Sequence, residues 1–237
     1  MKFIDLNNKY AGKRAFIVAT GPSLRIHDLD FLVDEVTLSC NKIFLAFDQT
    51  PWRPTFYSIA DRLVAEELRH EVGAIPSIKI FTSVARPFVN APDILWLNDL
   101  PSPLIDGEPQ IQFSSDINDG IHGGYTVVYT LMQIAYYIGI RELYLIGLDF
   151  AFSLSKDTGQ KTEYGETILQ QSKEGNHFHP RYRTENSRWT APRLDRQYEA
   201  FKLAKHVFED DGRSIFNASR KTALDVFHRV SFDELFN

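Results

Sequence analysis

The stretch RAFIVATGPSL, residues Arg14–Leu24, joins a continuous apolar run to a glycine turn carrying Thr20, Gly21 and Ser23. An uninterrupted apolar run of strand length is the pattern of a strand covered on both faces, as in a parallel sheet. The turn that follows brings backbone N–H groups and short hydroxyls to the carboxyl end of that strand. In open α/β sheets phosphate-bearing ligands sit there, so Thr20, Gly21 and Ser23 are candidate nucleotide contacts. The turn lacks the three-glycine dinucleotide fingerprint, and Ser23 is also placed to cap the next helix.

Working outward, Leu24–Val33 reads as a helix, Val36–Ser39 as a strand ending at Cys40–Asn41, and Thr55–Ala60 as a strand ending at Asp61. Leu63–Val72 has helical spacing. Ile78–Phe81 and Ile94–Leu97 are short strands between proline-rich turns. Gly123–Ile138 is the clearest helix and Glu142–Ile146 a clear strand; Ala191–Phe208 and Arg213–Phe216 supply a further helix and strand. Strands alternating with helices predict a Rossmann-like α/β fold: a mostly parallel sheet, helices on both faces. Residues 1–237 read as a single nucleotide-binding domain with a lid-like insertion at 151–190, which is polar, weakly periodic and rich in histidine and aromatic residues.

Composition narrows the function. A chain of 237 residues with 43% hydrophobic residues can bury a full core, and a net charge of -5 argues against general attraction to nucleic acid. The single cysteine, Cys40, excludes an internal disulfide and a multi-cysteine zinc site. The N-terminal MKFIDLNNKY has no apolar core of signal-peptide length, and the longest apolar stretch, Val127–Ile140, falls short of a membrane span, which predicts a cytoplasmic location; an oligomer is compatible with the sequence.

Further polar groups follow later strands. Asn41 offers an amide suited to a base or ribose edge, or to closing its own turn. Ser58, in FYSIAD, is a candidate nucleotide contact. Asp61 and Asp149, in LIGLDF, are read as carboxylates at neighbouring strand ends, able to hold Mg²⁺ against a diphosphate or to cap the next element. His122, Gly123 and Gly124 open the long helix and leave its N-terminus free for an anion. In the insertion, His177 is a candidate general base, while Arg181, Tyr182 and Arg183 are candidates to clamp phosphate oxygens or to be merely solvated.

The ordered set ATGPSL, SCNKI, FYSIAD, GGYTVVYTLMQIAYYIGIRELYLIGLDF and NHFHPRY resembles the prokaryotic family named after the archaeal 6-hydroxymethylpterin diphosphokinase. More distantly it is similar to small bacterial sialyltransferases that use CMP-sialic acid. That second resemblance implies nucleotide contacts at Thr20, Ser23 and Asn41 and around His122–Gly124. It also implies a base at His177 and phosphate-binding tyrosines at Tyr164 and Tyr182. Thr20 stands where those enzymes have asparagine, and His122–Gly123 replaces a hydroxyl pair.

The expected function is a nucleotide-sugar-dependent glycosyltransferase of surface-polysaccharide synthesis, requiring no metal, with a glycan acceptor. The alternatives are a Mg²⁺-dependent diphosphokinase acting on a pterin-like alcohol, and a non-catalytic nucleotide-binding partner in an envelope pathway.

Overall fold

The computed structural model describes residues 1–153, 155–162, 165–171 and 173–237. Its centre is an eight-stranded, wholly parallel sheet in the order β13-β12-β8-β1-β2-β3-β4-β5. The strands are β1 (Arg14–Val18), β2 (Val36–Cys40), β3 (Phe56–Ser58), β4 (Ile78–Thr82) and β5 (Ile94–Leu97). A small hairpin, β6 (Leu104–Ile105) and β7 (Glu108–Pro109), precedes β8 (Glu142–Ile146). β12 (Ser214–Asn217) and β13 (His228–Arg229) complete the sheet edge beyond β8.

Side chains of successive strand residues point to opposite faces, and each face has its own core. Ala15 and Ile17 of β1, with Leu143 and Leu145 of β8, pack beneath α2 (Val127–Tyr137) and α3 (Leu194–Asp210). Phe16, Val18, Tyr144 and Ile146 face the other side, where α1 (Arg62–Glu67) and several 3-10 turns lie. Cys40 is part of the first core, and burial pushes its thiol up to about 12, so it packs rather than reacts.

The two faces are covered unequally. The helix expected at Leu24–Val33 is a 3-10 segment, Ile26–Leu32, and α1 stops at Glu67, short of the expected Val72. The long helix starts at Val127 rather than Gly123, because Tyr125 takes φ +60° and Thr126 caps the first turn.

The chain runs outward from β1 to β5, then crosses back to lay β8 against the opposite side of β1. That reversal makes the carboxyl ends of β1 and β8 a topological switch point, where ligands of open α/β sheets bind. The two turns there touch. The Gly21 N–H donates to the Gly147 carbonyl at 2.8 Å, and a β-carbon on Gly21 would overlap that oxygen and the Asp149 carboxylate.

The insertion forms a separate antiparallel sheet in the order β11-β10-β9, built of β9 (Lys156–Lys161), β10 (Thr167–Gln170) and β11 (Arg188–Thr190). β9 is almost wholly exposed, and β10 and β11 are only four and three residues long, so the two-residue periodicity that would mark a half-buried strand is absent.

Gly21→Ala is expected to cost about 2 kcal/mol or more, from backbone that cannot move without parting β1 from β8. Gly123→Ala meets nothing within 4 Å and serves as the control. Thermal denaturation of the two variants separates them; equal melting temperatures would refute the close approach.

Candidate functional site

The insertion reaches the sheet at the carboxyl end of β1. The Phe178 N–H donates to the Thr20 carbonyl at 3.0 Å, and the Tyr182 hydroxyl lies 3.1 Å from Thr20 Oγ1. At the end of β2, Lys42 is buried and its ammonium donates to the Tyr182 carbonyl at 2.7 Å and to Glu67 of α1 at 2.5 Å. The carbonyl of Asn41 accepts from Tyr57 at 2.5 Å, and Asn41 itself takes φ +52°. Ser58, the last residue of β3, is fully buried, and neither its hydroxyl nor Asn41 Oδ1 has a protein partner. Thr20, Asn41, Ser58 and the 174–183 segment thus converge along β1, β2 and β3.

His177 lies within this group. Its ring stacks on Tyr182 with centroids 3.7 Å apart and planes 4° from parallel. Its Nδ1 is 3.1 Å from Glu174 Oε1, which also accepts the backbone N–H groups of Gly175, Asn176 and His177. The side chains of His177 and Glu174 are 8% and 6% exposed. Burial holds the imidazole down at about 4, against the lesser upward pull of Glu174. Burial alone would raise Glu174, but the bond from His177 and the backbone donors outweigh it and bring the carboxyl to about 2.

At pH 7 the pair is therefore a neutral imidazole beside a carboxylate. A carboxylate at Nδ1 requires the proton on that nitrogen, which leaves the Nε2 lone pair to accept another. Among the described residues Nε2 makes no hydrogen bond to the protein. Glu174 has no signal in the linear sequence beyond its spacing of three from His177. Arg183 is the third of the clamp residues expected from the sequence. Its guanidinium stacks on Trp189 at 3.9 Å, burial lowers its pKa, and its Nη1 is buried without a hydrogen-bond partner.

Several expected contacts are placed otherwise. The glycine turn does not hold its N–H groups free: Gly21 donates to Gly147, Leu24 to Gly21, and Ser23 donates from N and Oγ to the Asp149 carboxylate at 3.2 and 2.8 Å. Burial pushes Asp149 up, and the Ser23 bonds partly offset that. Tyr182 is buried against Thr20, whereas Arg181 is exposed, so the two do not form one clamp. Tyr164 lies outside the described residues. His179 is buried, and its Nδ1 accepts the Arg181 N–H at 3.1 Å, which closes a local turn.

The helix start is not the open anion site expected of it. Both the N–H and the carbonyl of His122 are bonded to Gln133, a fully buried residue of α2, and burial lowers the His122 pKa. The ring of Tyr129 occupies the space beside Gly124. Only Gly123 is open, and no hydrogen bond among the described residues links 122–124 to Thr20, Asn41 or Ser58.

The paired aspartates also separate. Asp61 caps α1, accepting from Val64 N–H at 3.0 Å. It follows β3, whereas Asp149 follows β8, and β1 and β2 lie between them. Three strand spacings put the two ends about 14 Å apart, too far for a shared Mg²⁺. Among the described residues no group of three or more His, Cys, Asp or Glu is arranged to hold a metal ion.

The family described as 6-hydroxymethylpterin diphosphokinase MptE-like matches residues 1–155. The chain belongs to the MptE-like family. The match runs from the N-terminus through β8 and Asp149 and ends before β9, so it does not include His177 or Glu174. No curated protein matches the chain. Among solved structures, the MAf glycosyltransferase from Magnetospirillum magneticum AMB-1 is similar, with a TM-score of 0.54 and 16% identity over 98% of this chain. This chain spans only 38% of that one, and the likeness is one of fold. The sialyltransferase CstII from Campylobacter jejuni, solved with CMP-3FNeuAc, aligns at 13% identity over 92% of this chain and 86% of that one, with a TM-score of 0.46. No helix among the described residues of this MptE-like protein is long and apolar enough to cross a membrane.

The His177–Glu174 pair has a measurable signature. Nitrogen-15 spectra at pH 7 are expected to show neutral His177 with its proton on Nδ1, titrating near 4. Because this value lies below the ordinary 6.5, the buried neutral ring stabilises the fold fully above pH 6.5, and that contribution is lost as pH falls toward 4. An imidazolium at pH 6 would refute the arrangement.

Proposed function

We propose that this MptE-like chain is a nucleotide-sugar-dependent glycosyltransferase of surface-glycan synthesis, in which His177 takes the proton from an acceptor hydroxyl. The observation that carries the proposal is the orientation of the buried imidazole. Glu174 holds Nδ1, the ring is neutral at pH 7, and Nε2 is left without a protein hydrogen bond among the described residues. As Nε2 takes the proton, the hydroxyl oxygen bonds to the anomeric carbon. The bond from that carbon to the phosphate oxygen breaks, and its electron pair leaves with the nucleotide.

The nucleotide would lie along the carboxyl ends of β1, β2 and β3. The unpartnered Asn41 Oδ1 and Ser58 hydroxyl are available there to its hydroxyls or base. Of the three residues read as a phosphate clamp, Arg183 is the one that fits the role. Its buried Nη1 lacks an acceptor, and the stack on Trp189 holds the guanidinium plane in place. No metal is required for this chemistry, because the leaving phosphate is stabilised by fixed donors.

Family membership favours a second reading, transfer of diphosphate from ATP to a pterin-like alcohol with Mg²⁺. The separation of Asp61 from Asp149 argues against their sharing one ion, so that reading would need a single carboxylate and substrate phosphates. A non-catalytic nucleotide-binding role would bind ligand without turnover, and it leaves the orientation of His177 without a purpose.

Thermal-shift measurements against CMP, UDP, GDP and ATP, with and without Mg²⁺, distinguish the readings. Stabilisation by a nucleoside mono- or diphosphate without metal is expected; ATP stabilisation that depends strictly on Mg²⁺ would favour diphosphate transfer. In the transferase, His177→Ala is expected to lower kcat by about 100-fold or more while leaving nucleotide Kd within about twofold. Unchanged turnover in that variant would remove His177 as the base.

A further inference from the structure

A second concavity lies away from the sheet edge, between α1 and the insertion sheet. It encloses about 570 Å³, and its walls include Glu66 and Glu67 of α1, Gln160 of β9, Gln170 of β10, Asn186 and Arg188. We infer that this cleft is the acceptor site, and that it takes an uncharged oligosaccharide. The inference rests on the transferase reading of the neighbouring His177.

The wall chemistry selects the ligand class. Each sugar hydroxyl both donates and accepts a hydrogen bond, and a carboxamide offers both functions side by side. The three amides of the cleft are flanked by carboxylates that only accept and guanidinium groups that only donate. Glu66 and Glu67 are balanced by Arg69 and Arg188, so the lining carries no net formal charge and gives a polyanion no advantage. No aromatic ring lines the cleft among the described residues, which removes the stacking surface that a base or a pterin ring would use. The volume falls within the range of about 300–1,000 Å³ usual for small-ligand sites.

The walls are also braced. Gln170 Nε2 donates to Asn186 Oδ1 at 2.9 Å, and Arg188 Nη1 donates to Gln160 Oε1 at 3.3 Å. Such pairing holds long side chains in place, so less rotamer freedom is lost when a ligand binds. The cleft also adjoins the base through bonded groups. Glu67, on its wall, holds Lys42; Lys42 holds the Tyr182 carbonyl; and the Tyr182 ring stacks on His177. Glu67 thus belongs both to the cleft wall and to the bonded group that holds the His177 stack.

Saturation-transfer NMR with maltotriose, cellotriose and chitotriose tests the site without any donor. At least one of these neutral probes is expected to bind at millimolar concentration. Gln160→Trp, which narrows the cleft, and Arg188→Ala, which removes one donor from its wall, are each expected to weaken that binding about tenfold. Both variants should keep the melting temperature and CMP affinity of the unaltered chain. Failure of all three probes to bind, or binding that survives Gln160→Trp, would overturn the inference. Probe binding through the cleft without sugar transfer from any nucleotide donor would refute the transferase reading but leave the cleft as a glycan site. Transfer that persists with an unchanged acceptor KM in Gln160→Trp would refute the cleft alone.

Discussion

The close approach of two strand ends governs this molecule. Gly21 lies against the Gly147 carbonyl because the chain must lay β8 beside β1 after building the sheet outward to β5. No side chain fits between the two turns. The contact therefore uses up the backbone donors that a phosphate-binding turn would leave free, and Asp149 takes the donors of Ser23. The switch point is closed by the protein's own groups. The unpartnered Asn41 Oδ1 and Ser58 hydroxyl lie one and two strands from β1, at the ends of β2 and β3, and the unpartnered Arg183 Nη1 lies in the insertion.

Burial, rather than charge pairing, sets the chemistry of the insertion. His177 and Glu174 form a bonded pair, yet the imidazole is held well below its ordinary range because the stack on Tyr182 removes it from water. Oε1 of Glu174 accepts three backbone N–H groups besides the Nδ1 proton, which holds the carboxylate in its charged form beside a neutral imidazole. The result is an oriented neutral ring, the protonation state a proton acceptor requires. Lys42 ties this arrangement to α1 through Glu67, so the insertion rests on the sheet edge and α1 together.

Most of the central sheet was legible in the chain. Glu142–Ile146 and Ile94–Leu97 read as strands with their observed limits, and Arg14–Ala19 differs by one residue. Apolar runs bounded by glycine and proline leave little else for such segments to be. The helical side was read less well. Leu24–Val33 has helical spacing but forms a 3-10 segment, and Gly123–Tyr125 precedes the long helix instead of opening it. Spacing reports which face is buried, whereas helix type and first residue depend on capping and on neighbours such as Tyr129 and Gln133.

The sequence by itself determined the α/β class, the strands of the parallel sheet except the edge strand β13, and the presence of polar residues after β1, β2 and β3. Those are local properties, written in hydrophobic runs and turn residues. Only the tertiary structure decided that Asp61 and Asp149 stand apart, that Ser23 serves Asp149, and that Glu174 orients His177. The first follows from strand order and the second from a bond between distant segments. The third is a local bond between residues three apart, made decisive by burial that has no periodic trace in the order of residues.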